Sequence, residues 1–231
     1  MQDLMCKLVS AIIGRRLTSV LTGNKERPGV GLEDQNGFMP GRGTTDGSFC
    51  VRTVLLKRRE HRQHTWAVFV DLVKAFDSVP RDGLMRILAH FGIPPHLCSL
   101  ILKLHTNNTL KMEVGGDDTI IRNTTSVKQG DVMAPILFLF VIQACLEAIG
   151  ADNWPGSKLL FRTKQVGGQV SGMKWSAVGD LVEFWTSLYA DDGAFFFDSR
   201  EELIAGTQAM GTMMRRFGLE MHSGVGYCTD V

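Results

Sequence analysis

Three aspartates carry the chemistry that this sequence can do. Asp191 and Asp192 are adjacent inside SLYADDGAFFF (187–197), and Asp71 closes the apolar run of WAVFVDL (66–72). Both stretches have the short, β-branched and aromatic look of buried strands, where an unpaired carboxylate is costly. Read as a hairpin, the first stretch rises through Ser187 to Tyr189, turns near Ala190 to Asp192 and descends through Ala194 to Phe197, which puts both carboxylates at its tip. If 66–72 lies beside that hairpin in one sheet, three acids converge on one edge. Like charges held close raise one another's pKa unless a cation intervenes. Hard divalent cations take oxygen ligands, and Mg²⁺ is held by one or two carboxylates plus phosphates and water. Two such ions, roughly 3.5–4 Å apart, suit an in-line phosphoryl displacement. The structural alternative is that Asp-Asp is a solvated turn and Asp71 a turn former. Agreement between two apolar strands, each delivering Asp to the end of a rigid element, favours the metal.

The elements that must position these acids follow from periodicity. Residues 1–21 place Leu4, Leu8 and Ile12, with Met5, Val9 and Ile13 beside them, at the spacing of an amphipathic helix ending near Gly23. A Gly-, Pro- and Asn-rich loop follows, then a helix from about Thr45 with Phe49, Val54 and Leu55 facing inward. Its last turns carry Lys57, Arg58, Arg59 and Arg62, which suit a solvated helix end that complements the dipole, with a nucleic-acid patch as the alternative. Leu84, Ile87, Leu88 and Phe91 mark a helix stopped by Gly92 and Pro94-Pro95, and another runs from Leu97 to Leu104. LKMEV (110–114) alternates as a strand before a turn at GGDD. Residues 131–149 read as a helix buried on several sides, and 154–180 as irregular, with hairpins. Ser199 and Glu202 form a capping-box pattern ahead of a helix whose inner face is Leu203, Thr207, Met210, Met214 and Phe217. Strands alternating with helices, plus antiparallel hairpins, predict an α+β fold with helices packed on one sheet.

Composition narrows the class. In 231 residues, 44% hydrophobic and 21% charged, there is enough apolar material for a sizeable core, which excludes disorder as the main state. The net charge of +1 conceals a gradient: residues 1–65 hold 11 Lys and Arg against 6 Asp and Glu, the remainder 14 against 18. That polarity suits a protein that grips a polyanion with one part and binds cations with another; chance unevenness is the alternative. Five dispersed cysteines without a CxxC pair read as reduced core residues in a reducing compartment. The histidines offer no HExxH and no zinc site. The run at 132–142, 11 residues, is too short to span a bilayer, so no membrane is expected as a partner.

FVDLVKAFDSVPRDGL (69–84), KQGDVMAPILF (128–138), SLYADDGAFFF (187–197) and, upstream, QNGFMPGRGTTDG (35–47) together resemble the reverse transcriptases of non-LTR, LINE-type retrotransposons, in order and across nearly the whole chain. The resemblance implies a polymerase-type palm, an antiparallel sheet backed by helices, with a partial fingers region. On this expectation residues 1–231 are one partial domain, about 1–65 fingers-like and about 66–231 palm with interleaved fingers segments. The family's first fingers strand and its thumb would be absent, and no lysine follows Lys174 to serve the leaving pyrophosphate.

The implied function is RNA-directed DNA polymerisation, transferring dNTPs to a DNA primer on an RNA template. Asp71 and Asp191 would be the main ligands of two Mg²⁺ ions, with Mn²⁺ as a possible substitute, and Asp192 would complete the hairpin tip. The nucleotide would lie by Lys74 and Ala75, with Phe76 under the sugar, excluding a 2′-hydroxyl. Gln129 and Gly130 would contact the nascent pair or the nucleotide, and Arg42 the triphosphate. An intracellular location, in nucleus or cytoplasm, goes with the family. The rival expectation is a truncated, catalytically inactive remnant that binds RNA weakly. A different palm-like phosphoryl transferase, such as a nucleotide cyclase, is disfavoured by KQGD and Phe76.

Overall fold

Helix α6 (Ala134–Ile149) is the most apolar element of the molecule, and Leu137, Phe138, Leu139, Phe140 and Val141 are fully buried along it. A helix buried all round needs neighbours on every side. It has them in α1 (Leu4–Thr22), α3 (Ala75–Ser78), α4 (Arg81–His90) and α7 (Arg200–Arg216). Phe138 meets Phe76 at 4.8 Å between ring centroids, and Phe140 meets Phe91 at 5.6 Å. These facts come from a computed structural model, which describes residues 4–24, 26, 28–30, 33–106, 108–114, 117–123, 130–149, 157–160 and 181–222.

In front of this helical layer lies a three-stranded antiparallel sheet of order β1-β7-β6, built from β1 (Trp66–Val70), β6 (Thr186–Tyr189) and β7 (Asp192–Phe197). Helix α7 packs on β1 and β7. Alternation sorts the two faces. Trp66, Val68 and Val70 of β1, with Gly193, Phe195 and Phe197 of β7, face the core, while Phe69 and Ala194 face the other way. Gly206 of α7 is a close-approach position, because a Cβ there would lie 2.4 Å from the Phe197 ring. Ser199 caps α7 by accepting from the Glu202 N–H at 3.1 Å, while the Glu202 carboxylate accepts from the N–H of Asp198, one residue before the cap, at 3.1 Å, so only the Ser199 half of the expected capping box is made. Helix α2 (Thr44–Glu60) crosses near β6, and α5 (Pro95–His105) follows α4 after the left-handed Gly92. Two further two-stranded antiparallel sheets pair β2 (Asn108–Val114) with β3 (Asp117–Asn123) and β4 (Ser157–Leu160) with β5 (Leu181–Phe184). Among the described residues no helix is long and apolar enough to cross a membrane.

The α+β layering agrees with the sequence expectation, and several details depart from it. The buried stripe of α1 is Ser10, Ile13, Gly14, Leu17 and Leu21, leaving Leu4, Met5, Leu8 and Ile12 at least half exposed. Phe49, expected inside α2, is 69% exposed, because the inner face of that helix runs through Gly47, Val54 and Arg58. Cys50 is exposed rather than part of the core; Cys145 is buried and Cys6 and Cys98 are half-buried. Most of 154–180 and Cys228 lie outside the described residues.

The basic end of α2 is not uniformly solvated. Lys57 pairs with Glu60 on the surface, whereas Arg58 is 2% exposed. Its guanidinium donates to Thr65 Oγ1 at 2.6 Å, to the His64 carbonyl at 2.5 Å and to Asp198 at 2.6 Å, tying α2 to the β7–α7 junction. A buried guanidinium without its carboxylate is a strong destabiliser. Asp198→Ala is therefore expected to cost about 2 kcal/mol in urea denaturation, less than for a wholly buried pair because Asp198 keeps 38% of its side-chain exposure.

Candidate active site

Register decides where the acids go. Val70 of β1 pairs with Gly193 of β7, so the next step along the ladder sets Asp71 across from Asp192. Tyr189 pairs with Asp192, leaving Ala190 and Asp191 as a two-residue hairpin loop. Asp71, Asp191 and Asp192 thus meet at one rim of the sheet, as the strand reading requires. The Asp192 carboxyl is pushed above its ordinary range, chiefly by burial, then by the charges of Asp191 and Asp71. Asp71 and Asp192 are exposed and Asp191 is half-buried.

The turn itself is unusual. Ala190 has φ +57° and is buried, while Asp191 is not in the left-handed region. A positive φ at the first central residue alone is the pattern of a type II′ turn, which favours glycine there. Gly193, one step beyond Asp192, has no room for a side chain: a Cβ would sit 2.7 Å from the Phe195 ring and 3.2 Å from Leu188.

In front of the rim lies a cleft of about 820 Å³ between the sheet and α2. Phe69, Asp71, Tyr189, Asp192 and Ala194 line one wall; Ser48, Val51, Arg52, Leu55 and Arg59 line the other. Two cations therefore face the acids across a largely apolar gap. The sequence reading places Arg59 in the basic end of α2, with a nucleic-acid patch as the alternative, and does not single out Arg52; helical spacing puts the two seven residues, two turns, apart on one side of α2.

The remaining predicted residues are placed as follows. Lys74 is exposed and left-handed, with φ +47°, and it caps the short α3; Ala75 is buried. Phe76 is half-buried, its ring packed against Phe138 at a tilt of 37°. The chain leaving Asp71 is pinned by 220–222: the Val73 N–H donates to Glu220 and the His222 N–H to the Asp71 carbonyl, each at 2.8 Å. Gly130, with φ +84°, is exposed and leads into Asp131, whose buried carboxylate accepts from the Met133 N–H at the start of α6. Gln129 lies outside the described residues. The Arg42 guanidinium donates to the carbonyls of Glu33 and Gln35, holding its own loop together, and Arg42 is not among the cleft residues. In that loop Asp34 is raised to about 6, mainly by burial and then by Glu33, against the opposing pull of Arg42.

The segment Gln35–Gly37 is the part of the site that sequence reasoning missed. The sequence marks it as loop and as the start of a family block with no role for Gln35, yet Gln35 is fully buried against the hairpin tip. The available signal was a polar Gln-Asn-Gly tract flanked by Phe38, with nothing in it to say what it would touch.

Among the described residues no three His, Cys, Asp or Glu side chains form a ready-made metal site. The three aspartates form an open acidic rim instead. All-oxygen donors with exposed faces can accept a hard divalent cation that completes its shell with phosphate and water.

The model for reverse transcriptase (RNA-dependent DNA polymerase) matches residues 1–224. The chain belongs to the reverse transcriptase family. A retrovirus-related Pol polyprotein from the type-1 retrotransposable element R2 of Popillia japonica is 34% identical over 144 residues, 61% of this chain and 19% of that protein. Its counterpart in Nasonia vitripennis is 24% identical over 188 residues, 81% of this chain and 16% of that protein. A probable RNA-directed DNA polymerase from transposon BS of Drosophila melanogaster is 27% identical over 135 residues, 58% of this chain and 14% of that protein. This reverse transcriptase chain thus spans less than a fifth of those relatives. Among solved structures, telomerase from Candida tropicalis with a fragment of telomeric RNA superposes with TM-score 0.62 at 8% identity, over 96% of this chain and 33% of that one. Telomerase from Candida albicans gives 0.62 at 7% identity, over 97% and 35%. At such identities the likeness is one of fold, and it makes the α+β arrangement of the reverse transcriptase chain a polymerase-palm type.

The raised Asp192 fixes a pH dependence. Its folded-state pKa lies above the unfolded one, so its contribution to stability is full below the unfolded value and is lost as pH rises through the folded value. Asp192→Asn is expected to melt higher than the wild type at pH 7 without divalent ions. The difference should close on acidification below about pH 4, followed by thermal denaturation across pH.

Proposed function

We propose that this chain carries the nucleotidyl-transfer centre of an RNA-directed DNA polymerase that extends a DNA primer on an RNA template. The observation that carries the reading is the β1–β7–β6 register, which sets Asp71 opposite Asp192 and beside Asp191 at the mouth of the cleft. In this reading residues from about 1 to 65 are fingers-like and the rest is palm with interleaved fingers segments.

Asp71 and Asp191 would hold two Mg²⁺ ions, or Mn²⁺ in their place, with Asp192 completing the rim. Bound there, such ions supply polarisation of a primer 3′-hydroxyl and charge balance on the pyrophosphate oxygens in an in-line displacement at the α-phosphorus. The protein's own share is to hold the carboxylates on a sheet edge, at the mouth of a cleft whose walls are mostly apolar. Arg52 and Arg59, opposite the acids, suit phosphate oxygens of the template or primer, and such contacts weaken with salt. Arg42, Lys74, Ala75, Gln129 and Gly130 are proposed to contact the nucleotide. The Phe76 ring, braced on Phe138, is proposed to crowd the 2′ position of the incoming sugar.

Primer extension on an RNA template with Mg²⁺ and dNTPs tests the reading. Loss of several kcal/mol of charge stabilisation corresponds to a rate reduced about 10³-fold, expected for Asp71→Ala and for Asp191→Ala. Phe76→Ala should relax discrimination against ribonucleotides by about 10–100-fold, the worth of a pocket contact. No incorporation by the wild-type chain that nonetheless binds RNA would support a catalytically silent remnant instead. Incorporation by Asp191→Ala at the wild-type rate would remove the assigned chemistry.

A further inference from the structure

The hairpin tip is held from outside by a side chain 155 residues away. Gln35 has no exposed surface, and its carboxamide makes three hydrogen bonds. Its Oε1 accepts from the Ala190 N–H at 2.8 Å and from the Gly37 N–H at 2.8 Å, and its Nε2 donates to the Ala190 carbonyl at 3.3 Å. Both backbone groups of one residue are thereby satisfied by one side chain. Only the observed orientation of the amide works, since a flipped group would set NH₂ against two N–H donors.

The surroundings reinforce the contact. Residues 34–36 run beside β6, with the Asn36 N–H donating to the Leu188 carbonyl at 2.8 Å and the Leu188 N–H to the Asp34 carbonyl at 2.9 Å. Asn36 Nδ2 also reaches the Leu188 carbonyl, at 3.3 Å. Gly37 lies so close to the turn that a Cβ there would come within 2.3 Å of the Ala190 nitrogen. Ala190 meanwhile occupies the left-handed region, which non-glycine residues avoid unless their surroundings impose it.

We infer that Gln35 is a positioning residue for the acidic rim: it holds Ala190 in its left-handed conformation and so fixes the direction in which Asp191, the next residue, presents its carboxylate. The inference rests on the proposed role of Asp191 as a metal ligand. Without Gln35 two buried backbone groups of Ala190 lose their partners, and the turn is free to relax toward negative φ. The carboxylate would then swing away from Asp71 and Asp192 while the sheet stays intact. Gln35→Glu keeps the acceptor for both N–H groups and loses only the donor to the Ala190 carbonyl.

Three measurements on the full chain test this. Hydrogen exchange at the Ala190 amide should quicken at least about tenfold in Gln35→Ala, with Gln35→Glu closer to wild type, if the side chain protects that group. Mn²⁺ affinity, read from the free-ion electron paramagnetic resonance signal, should fall about 10–100-fold in Gln35→Ala, the range for loss of a group that orients a ligand. In primer extension kcat should fall with little change in the KM for dNTP. Adding Ala190→Gly to Gln35→Ala should recover part of the Mn²⁺ affinity, because glycine adopts the turn unaided; a merely structural role would not predict that rescue. A folded Gln35→Ala chain with wild-type exchange at Ala190 and wild-type Mn²⁺ affinity would overturn the inference. If Gln35→Ala does not melt cooperatively, Gln35→Met, which keeps the volume of the side chain and removes both its acceptor and its donor, takes its place, and unchanged exchange at Ala190 together with unchanged Mn²⁺ affinity then overturns it. Should Asp191→Ala bind Mn²⁺ as the wild type does, the metal reading fails separately, and the brace stands or falls on the exchange result alone.

Discussion

Antiparallel register between β1 and β7 is the constraint on which the rest of this molecule depends. A slip of one residue would turn Phe195 and Phe197 from the core to the cleft, and would move Asp71 off its place opposite Asp192. The two consequences cannot be separated, because side chains alternate strictly along a strand. Burial of Phe195 and Phe197 to about 1% or less is therefore also what holds three like charges at a common edge. Hydrophobic burial at each such ring stabilises the fold by a few kcal/mol, enough to outweigh the mutual repulsion of partly solvated carboxylates.

Behind the sheet, α6 and α7 form a platform that leaves the strands little freedom. Gly206 lets α7 close on Phe197, and α6 is enclosed by four other helices. In front, the structure is sparser: α2 and the loop 33–43 reach the palm through a few specific contacts. The Arg58 contacts with Asp198, His64 and Thr65 tie the end of α2 to the palm, and the Gln35 contacts fix the loop at the hairpin tip. The apolar character of the cleft walls beside Arg52 and Arg59 suits stacked bases and phosphates together.

The region that charges the molecule also divides its labour. Helix α2, within residues 1–65, supplies the cations that face the cleft, and the β1–β7–β6 sheet supplies the acids. The family match runs over residues 1–224, and the likeness of fold to telomerase covers 96% of the chain.

The sequence by itself determined the elements that depend on local pattern. The β1 strand, the β6–β7 hairpin with its acids, the buried α6, the capped α7 and the Gly92 stop are all encoded in short-range periodicity and turn chemistry. The family blocks around Asp71 and Asp191 were legible for the same reason: each is contiguous. What only the tertiary structure decided are relations between distant segments. Phe49 lies outside and Arg58 inside because the rotation of α2 about its axis is set by its neighbours and not by its own hydrophobicity. In α1 the choice between the Leu4–Leu8–Ile12 stripe and the Ile13–Leu17–Leu21 stripe was likewise made by packing on α6. Gln35 could not be read at all, since a glutamine in a polar loop carries no local sign that its amide will meet the backbone of Ala190. Hydrogen bonds between residues far apart in the chain leave no periodicity behind them, and they appear only once the fold has brought their atoms together.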